Sequence, residues 1–495
     1  MNLLRDDIPM LWPSGPLAVA KRQKSEGFAP ETRQVLERWH QPAALDLLKN
    51  SPINCIVLPW AAGLAEDRQQ WQSSSALIQA ARAKNLKVVG WIEEMPDPKP
   101  AIAAGQSAGL TAVAAHGSHA GSGIPVIPWA ERGHAPWDTK APVLPVTDNV
   151  WPGVQAQQGG AANAGPTGKP WVESNAWFVE LAKERTPATP WLMFDPPAGS
   201  VVRAQSYVVC VMDTEAFGGR WIISFDDNLR GGLVGGNATA MQSLEGVSQA
   251  LRFFAQHREW ESFRSQAVVG VLSDFAGDNF EMGGEVLKLT ARRGLLTRPV
   301  WADQALTKGF PGLKALVRYD EAPPPAALRK RILDFVSQGG LLITGPKWGA
   351  EGKAFADQTH SRYEMRALGK GKLAVARENV VDPYEASIDI QSIVSRANDL
   401  VRLFNTATSG GIFLTGSPDG KRVLLQLVNY TGAGRGVGGG GTPNVVVWLA
   451  RSYRSARLLS PALEQPQPLN MVKADWGYEY HIPSLPAFAA IEFEV

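Results

Sequence analysis

Carboxylates recur in this chain at one kind of place, the residue or two just after a short apolar run. Glu93 and Glu94 follow Leu86–Ile92, and Glu131 lies just beyond Ile124–Pro128. Asp148 follows Val143–Thr147, Asp195 closes Trp191–Phe194, and Asp226 with Asp227 follow Trp221–Phe225. Tryptophan shares these positions, at Trp60, Trp129 and Trp151, and His116 follows the run Leu110–Ala114. Cleavage of a glycosidic bond needs two carboxyl groups, one acid and one base or nucleophile. Flat indole faces stack on sugar rings. The chain has 17 Trp, 13 of them before residue 263. That bias is a weak carbohydrate signal, and a Trp-rich core explains it as well.

Alternation ranks the candidates. In Trp221–Asp227, Trp221, Ile223 and Phe225 share one face of a strand, while Ile222, Ser224 and Asp226 share the other. The second face is the one free to point into a barrel, so Asp226 is expected to project into the site and Asp227 to turn away. The competing reading is that one of the two caps the turn at Asn228–Gly232. Asp195 is held at a rigid strand end by Pro196 and Pro197. One of Glu93 and Glu94 must face the same way as the strand's inner side. Asp226, Asp195 and Glu94 are therefore the expected catalytic residues. Trp60, Glu93, Trp129, Asp148 and Trp151 are expected to bind substrate. A second cluster, Trp171, Glu173, Asn175 and Trp177, joins them, although Ser174 or Asn175 as a helix cap, with the tryptophans as staple residues, reads equally well.

The elements that would position these residues are short apolar runs alternating with amphipathic segments through residue 262. Eight runs with intervening helices predict a (β/α)8 barrel, whose site lies at the C-terminal ends of its strands. Gly153–Gly168 is a Gly- and Ala-rich loop expected to close over that mouth. From Ser265 the pattern restarts as a doubly wound α/β unit, over 263–382. A helical linker is expected over 383–410, with Ile388–Phe404 as its helix. A small β-sandwich follows over 411–495, with Gly436–Gly441 at a hairpin tip.

Composition excludes several classes. Basic and acidic residues number 49 and 47, interleaved, so nucleic acid is not an expected partner. No apolar run has the length of a membrane span, so no membrane partner is expected. Met1–Asp7 lacks the positive start and apolar core of a signal peptide, which leaves a periplasmic or secreted location open if a leader was removed. Two cysteines, Cys55 and Cys210, cannot form a disulfide framework and read as buried thiols. His116, His119 and His134 have loop spacing, with no HExxH pattern, so neither a metal nor any other cofactor is expected.

The stretches Leu313–Tyr319 and Phe335–Ile343 resemble the trimerisation domain of family 42 β-galactosidases, which has a class I glutamine-amidotransferase-like fold. Leu368–Leu373 is similar to the Gly-Lys-Gly turn that follows it. Gln426–Tyr430 and Pro486–Glu492 resemble the small β-domain of such enzymes. The resemblance implies a glycoside hydrolase acting on an oligo- or polysaccharide, and a homo-oligomer, trimer or dimer. It does not supply catalytic residues. The family's Asn-Glu pair after the fourth strand is replaced by Ala114-Ala115-His116, and its Glu after the seventh by Asp195-Pro196-Pro197. The alternative is a non-catalytic carbohydrate-binding or scaffold protein on a divergent barrel. Both cysteines lie before residue 262, so the middle unit has no thiol nucleophile.

Overall fold

The structure, a computed structural model, describes residues 4–25, 28–117, 121–154, 172–356, 360–394, 401–404, 410–430 and 442–495. The chain divides into two compact units. One is Met1–Gly153 with Thr186–Arg258, and the other is Val154–Arg185 with Glu259–Val495.

The first unit is an eight-stranded parallel barrel. Its strands are β1 (Pro9–Leu11), β2 (Cys55–Ala61), β3 (Lys87–Ile92), β4 (Ala112–His116), β5 (Val126–Glu131), β6 (Val143–Thr147), β7 (Thr189–Leu192) and β8 (Arg220–Trp221), hydrogen-bonded in that order. Closure comes just past β8, where Ile223 bridges Met10. There the Leu11 amide donates to Ile223 O at 2.8 Å and the Ile223 amide donates to Pro9 O at 2.9 Å. The period-two pattern holds. Cys55 and Val57, Val89 and Trp91, and Ala112 and Ala114 fill the interior with Ile222.

Three helices of this unit bear on the site. They are α1 (Gly15–Gln23) after β1, α2 (Lys99–Ala108) after β3, and, past the excursion through α3 (Ala176–Arg185) in the second unit, α4 (Ala204–Glu215) after β7. The barrel closes with α5 (Asp227–Val234) and α6 (Ala238–Gln256). Not every strand is followed by a helix. Among the described residues β4 runs to β5 without one, and β5 to β6 has only the short turn Arg132–His134.

Most of the tryptophan excess has a packing explanation. Trp12, Trp39, Trp60, Trp191 and Trp221 are fully buried. Several fasten helices to the barrel through the indole N–H. Trp12 donates to Trp39 O at 2.8 Å, Trp39 to Arg230 O at 3.2 Å, and Trp60 to Ala101 O at 2.8 Å. Each of these three removes roughly 200 Å² from water while keeping its one donor paired, whereas the buried Trp191 N–H has no hydrogen-bond partner.

The second unit contains a doubly wound sheet. Its strands are β9 (Val269–Ser273), β10 (Thr297–Trp301), β11 (Ala315–Arg318), β12 (Leu341–Thr344), β13 (Tyr363–Leu368) and β14 (Gly371–Ala376), in the order β10-β9-β11-β12-β14-β13, with Lys353–Ala354 at the edge. All pair in parallel except β13, which is antiparallel to both β14 and Lys353–Ala354. The covering helices include α7 (Asp278–Arg292), α8 (Ala326–Ser337) and α9 (Pro383–Val394).

The expected helical linker is corrected here. Helix α9 packs on α7, where Arg293 Nε donates to Ser387 Oγ at 2.7 Å and Gln391 Nε2 to Arg293 O at 3.0 Å. The apolar run Val401–Phe404 is a strand, antiparallel to Thr442–Leu449, and Val401 belongs to the sandwich core. A single helix across 388–404 is not formed, because the two ends of that segment bury their apolar residues in different cores. The sandwich has a six-stranded and a four-stranded sheet, and Arg264–Ser265 contributes an edge strand to the first.

Helix α3 carries a half-buried Glu180. Burial pushes its carboxyl up from 4.5 to about 8, against an opposing pull from Lys183 and with a further push from Glu184. Between those pH values the unfolded chain sheds a proton that the folded chain keeps, so stability falls as pH rises through that window. Glu180→Gln is expected to match the parent near pH 4. At pH 9 it should be more stable by about 2 kcal/mol, a figure discounted for the side chain's partial solvent access. Thermal melts of both proteins at the two pH values check this, and an unchanged difference would show that the group is not buried as described.

Candidate active site at the barrel mouth

The C-terminal ends of the strands bring most of the expected residues to one rim, but with different roles. A buried guanidinium organises one side. The Arg230 side chain, on α5, is 2% exposed and pairs through Nη2 with Asp195, just past β7, and through Nη1 with Asp227 at 3.3 Å. Asp227 also accepts from Arg22 Nη2 at 2.8 Å and Nε at 3.2 Å. Asp195, 43% exposed, reaches solvent while its other contacts are set by this network. Adjacent Lys21 pairs with Glu93, just past β3. Strands β3 and β7 lie four apart in an eight-strand ring, so they face each other. One turn of α1 bonds both to Glu93, past β3, and to Asp227, past β8.

Asp226 takes the other role considered for it. It is 1% exposed and N-caps α5, accepting from the Leu229 amide at 2.9 Å. It also accepts from the Val202 amide at 2.9 Å and from Tyr207 Oη at 2.6 Å, while its own amide donates to Tyr207 Oη at 3.0 Å. Its acceptor capacity is taken up by the fold. Burial, reinforced by the hydrogen bond to Asp226, pushes the Tyr207 hydroxyl up and keeps it a donor. The expectation that Asp227 turns away is corrected too, since Asp227 faces the two arginines. Alternation holds for Ile222, which is inside the barrel. The chain then turns into α5, and the strand period no longer says where a side chain points.

On the far side, Trp129 stacks on Trp91 at 5.2 Å and 25°, with His116 edge-on at 5.4 Å. Its Nε1 donates to Ile92 O at 2.7 Å, which fixes the ring beside Glu93 and the exposed Glu94. Strands β5 and β6 pair only at Ala130–Val146 and Glu131–Thr147. Below those pairs a cleft of about 770 Å³ opens, lined by Trp129, His116, His134, Asp138 and Lys140. Asp148 is exposed, in the left-handed region at φ 58°. Trp151 meets Phe194, Tyr207 and Trp221 edge-on at 5.6, 5.5 and 5.7 Å.

Several expected binding residues lie elsewhere. Trp60 sits on the outer face of β2, opposite in parity to Cys55 and Val57, and is buried under α2. Glu173, Asn175 and Trp177 belong to the second unit. Glu173 lies 3.4 Å from Lys288 Nζ on α7, and Asn175 is buried with its carbonyl accepting the first amides of α3. Trp177 packs edge-on to Phe280 at 5.1 Å and over Gly284, where a Cβ would lie 2.7 Å from the ring. Asn175 and Trp177 are buried, and Glu173 is half-buried in its pairing with Lys288. Trp171, His119 and nearly all of the loop Gly153–Gly168 lie outside the described residues.

Three contributors were not singled out from the sequence. Arg22 and Arg230 gave no signal beyond helical spacing. Asn149 follows Asp148 in an Asp-Asn pair that reads as a plain turn. It is buried, and its Nδ2 ties β6 to β7 by donating to Val146 O at 2.8 Å and Met193 O at 3.0 Å. Its Oδ1 is buried without a hydrogen-bond partner. No group of three or more His, Cys, Asp or Glu among the described residues could hold a metal ion. Burial pushes the Cys55 and Cys210 thiols up, which keeps them protonated.

Fold and mouth together define a barrel protein extended by a doubly wound domain and a β-sandwich. Among solved structures it is similar to α-L-fucosidase isoenzyme 2 from Paenibacillus thiaminolyticus, with 11% identity, 99% of each chain covered and a TM-score of 0.61. That likeness shows a shared fold along the whole chain. The exo-carrageenase from Bacteroides ovatus aligns at a TM-score of 0.42 and 10% identity, over 92% of this chain and 57% of that one. The β-galactosidase from Rahnella sp. R3 aligns at 0.37 and 12%, over 84% and 67%. No family model matches the chain, and no curated protein matches its sequence.

Proposed function

We propose that this protein is a glycoside hydrolase whose site is the C-terminal mouth of the barrel. Asp195 is one carboxyl group of the pair, and Glu94 or Glu93, on the opposite strand end, is the other. The observation that carries the reading is the placement of carboxylates past opposite strands of the ring, beside the half-buried Trp129 that Trp91 holds in place. Arg230 orients Asp195. The similar fold of a fucosidase makes an α-L-fucoside the first substrate to try, followed by β-D-galactosides.

A second reading, a sugar-binding module without turnover, is favoured by one feature. Glu93, Asp195 and Asp227 are each paired with a lysine or arginine. Incubation with a panel of nitrophenyl glycosides and oligosaccharides separates the two. Release of nitrophenol or reducing ends supports the hydrolase. Saturable binding of the same ligands without release would replace it with the binding module.

A further inference from the structure

The sheet order β10-β9-β11-β12-β14 places β9 between strands that the chain reaches in opposite directions. Helices leaving β9 and β11 therefore lie on opposite faces, and the backbone parts beyond the C-terminal ends of these strands. Ligands of open α/β sheets bind in such crevices. Here the crevice is about 480 Å³ and is carried wholly by the second unit.

Its floor is built from charge. The side chains of Arg318 and Asp320 are 7% and 5% exposed, with Nη2 to Oδ2 at 3.3 Å. Asp320 also accepts from the Asp274 amide at 3.2 Å, and Arg318 donates to Ala322 O at 2.7 Å. Burial raises the Asp320 carboxyl, opposed by its hydrogen bond with Ser273 and by Arg318. Arg318 and Trp348 both contribute to the lining, and Arg318 Nε and the Trp348 indole N–H are buried behind it without a hydrogen-bond partner. Buried, oriented polar groups over an apolar wall of prolines are the usual make-up of a small-molecule site.

The lining also selects the ligand. It carries three carboxylates, Asp278, Asp320 and Glu321, against two cations, Arg318 and Lys347, and Lys347 is already paired with Glu321 at 2.9 Å. An anion such as phosphate or a nucleotide meets net repulsion there. A neutral ligand with adjacent hydroxyls can donate to these carboxylates without that repulsion. We propose that this crevice binds a neutral, hydroxyl-rich small molecule of mono- or disaccharide size. The proposal stands on the crevice itself and does not depend on the barrel being a hydrolase.

Hydrogen exchange of the full chain, with and without galactose, fucose, glucose and lactose, tests it, with inorganic phosphate as the contrary probe. At least one sugar is expected to slow exchange several-fold in residues 318–324 and 344–348, with phosphate inert. Val381, 81% exposed at the rim, allows Val381→Trp to block the crevice without disturbing a core. That variant should lose the protection, and Asp320→Asn should weaken the sugar tenfold or more. Asp195→Asn should retain it, which keeps this result separate from any sugar bound at the barrel mouth. Protection by phosphate alone, sugar protection that survives Val381→Trp, or no protection by any sugar at saturation would each overturn the proposal.

Discussion

Asp195→Asn is expected to lower turnover on a confirmed glycoside by about 10²-fold or more while leaving the fold intact. Asp195 lies just beyond β7, held by Pro196 and Pro197, with 43% of its side chain open to the mouth. Its one strong contact is Arg230, whose guanidinium also touches Asp227, so the carboxylate is aimed without being enclosed. An asparagine keeps the shape and one acceptor for Arg230, so little stability should be lost. What it removes is the charge and the ability to exchange a proton, and losing a general acid or base costs at least about two orders of magnitude. Steady-state kinetics with a circular-dichroism control reads this directly. Full turnover in a folded Asp195→Asn protein would move the chemistry to Glu93, Glu94 or Asp148.

For Asp226→Ala the expected effect is on stability. One carboxylate satisfies the Leu229 amide at the start of α5, the Val202 amide and the Tyr207 hydroxyl. Losing an N-cap costs about 1 kcal/mol, and each donor left buried and unpaired costs about 1 to 3 kcal/mol. A total loss of about 3 kcal/mol is expected, visible as a lower urea midpoint with an unchanged slope. Turnover per folded molecule should stay within a few-fold of the parent. A variant as stable as the parent but without turnover would reverse the assignment and restore Asp226 as a reacting group.

These two residues show where local pattern stops being informative. Asp195 was expected just past a barrel strand, and it lies beyond the end of β7 at Leu192 with two prolines after it. Asp226 was misleading because alternation was carried one turn too far. The barrel strand proper ends at Trp221, with only Ile223 bridged beyond it, and the partners that claim Asp226 come from residues 202, 207 and 229. Glu173, Asn175 and Trp177 belong to the second unit, which their local sequence does not reveal. Their mixture of polar and aromatic residues looks like a sugar site, yet α7, more than a hundred residues later, supplies Lys288 and Gly284 to pack against them.

By itself, the sequence determined the eight barrel strands to within a few residues, the restart into a doubly wound sheet, and the closing β-sandwich. Those features follow from hydrophobic periodicity and chain breakers, which act over a few residues and leave their record there. The tertiary structure alone decided which carboxylates reach the mouth, because that depends on the partners each one finds. Arg230 and Arg22 leave Asp195 accessible and hold Asp227, while Tyr207 and the start of α5 enclose Asp226. A charged side chain's role is set by groups distant in sequence that pair with it or desolvate it, and such groups leave no periodic trace in the chain.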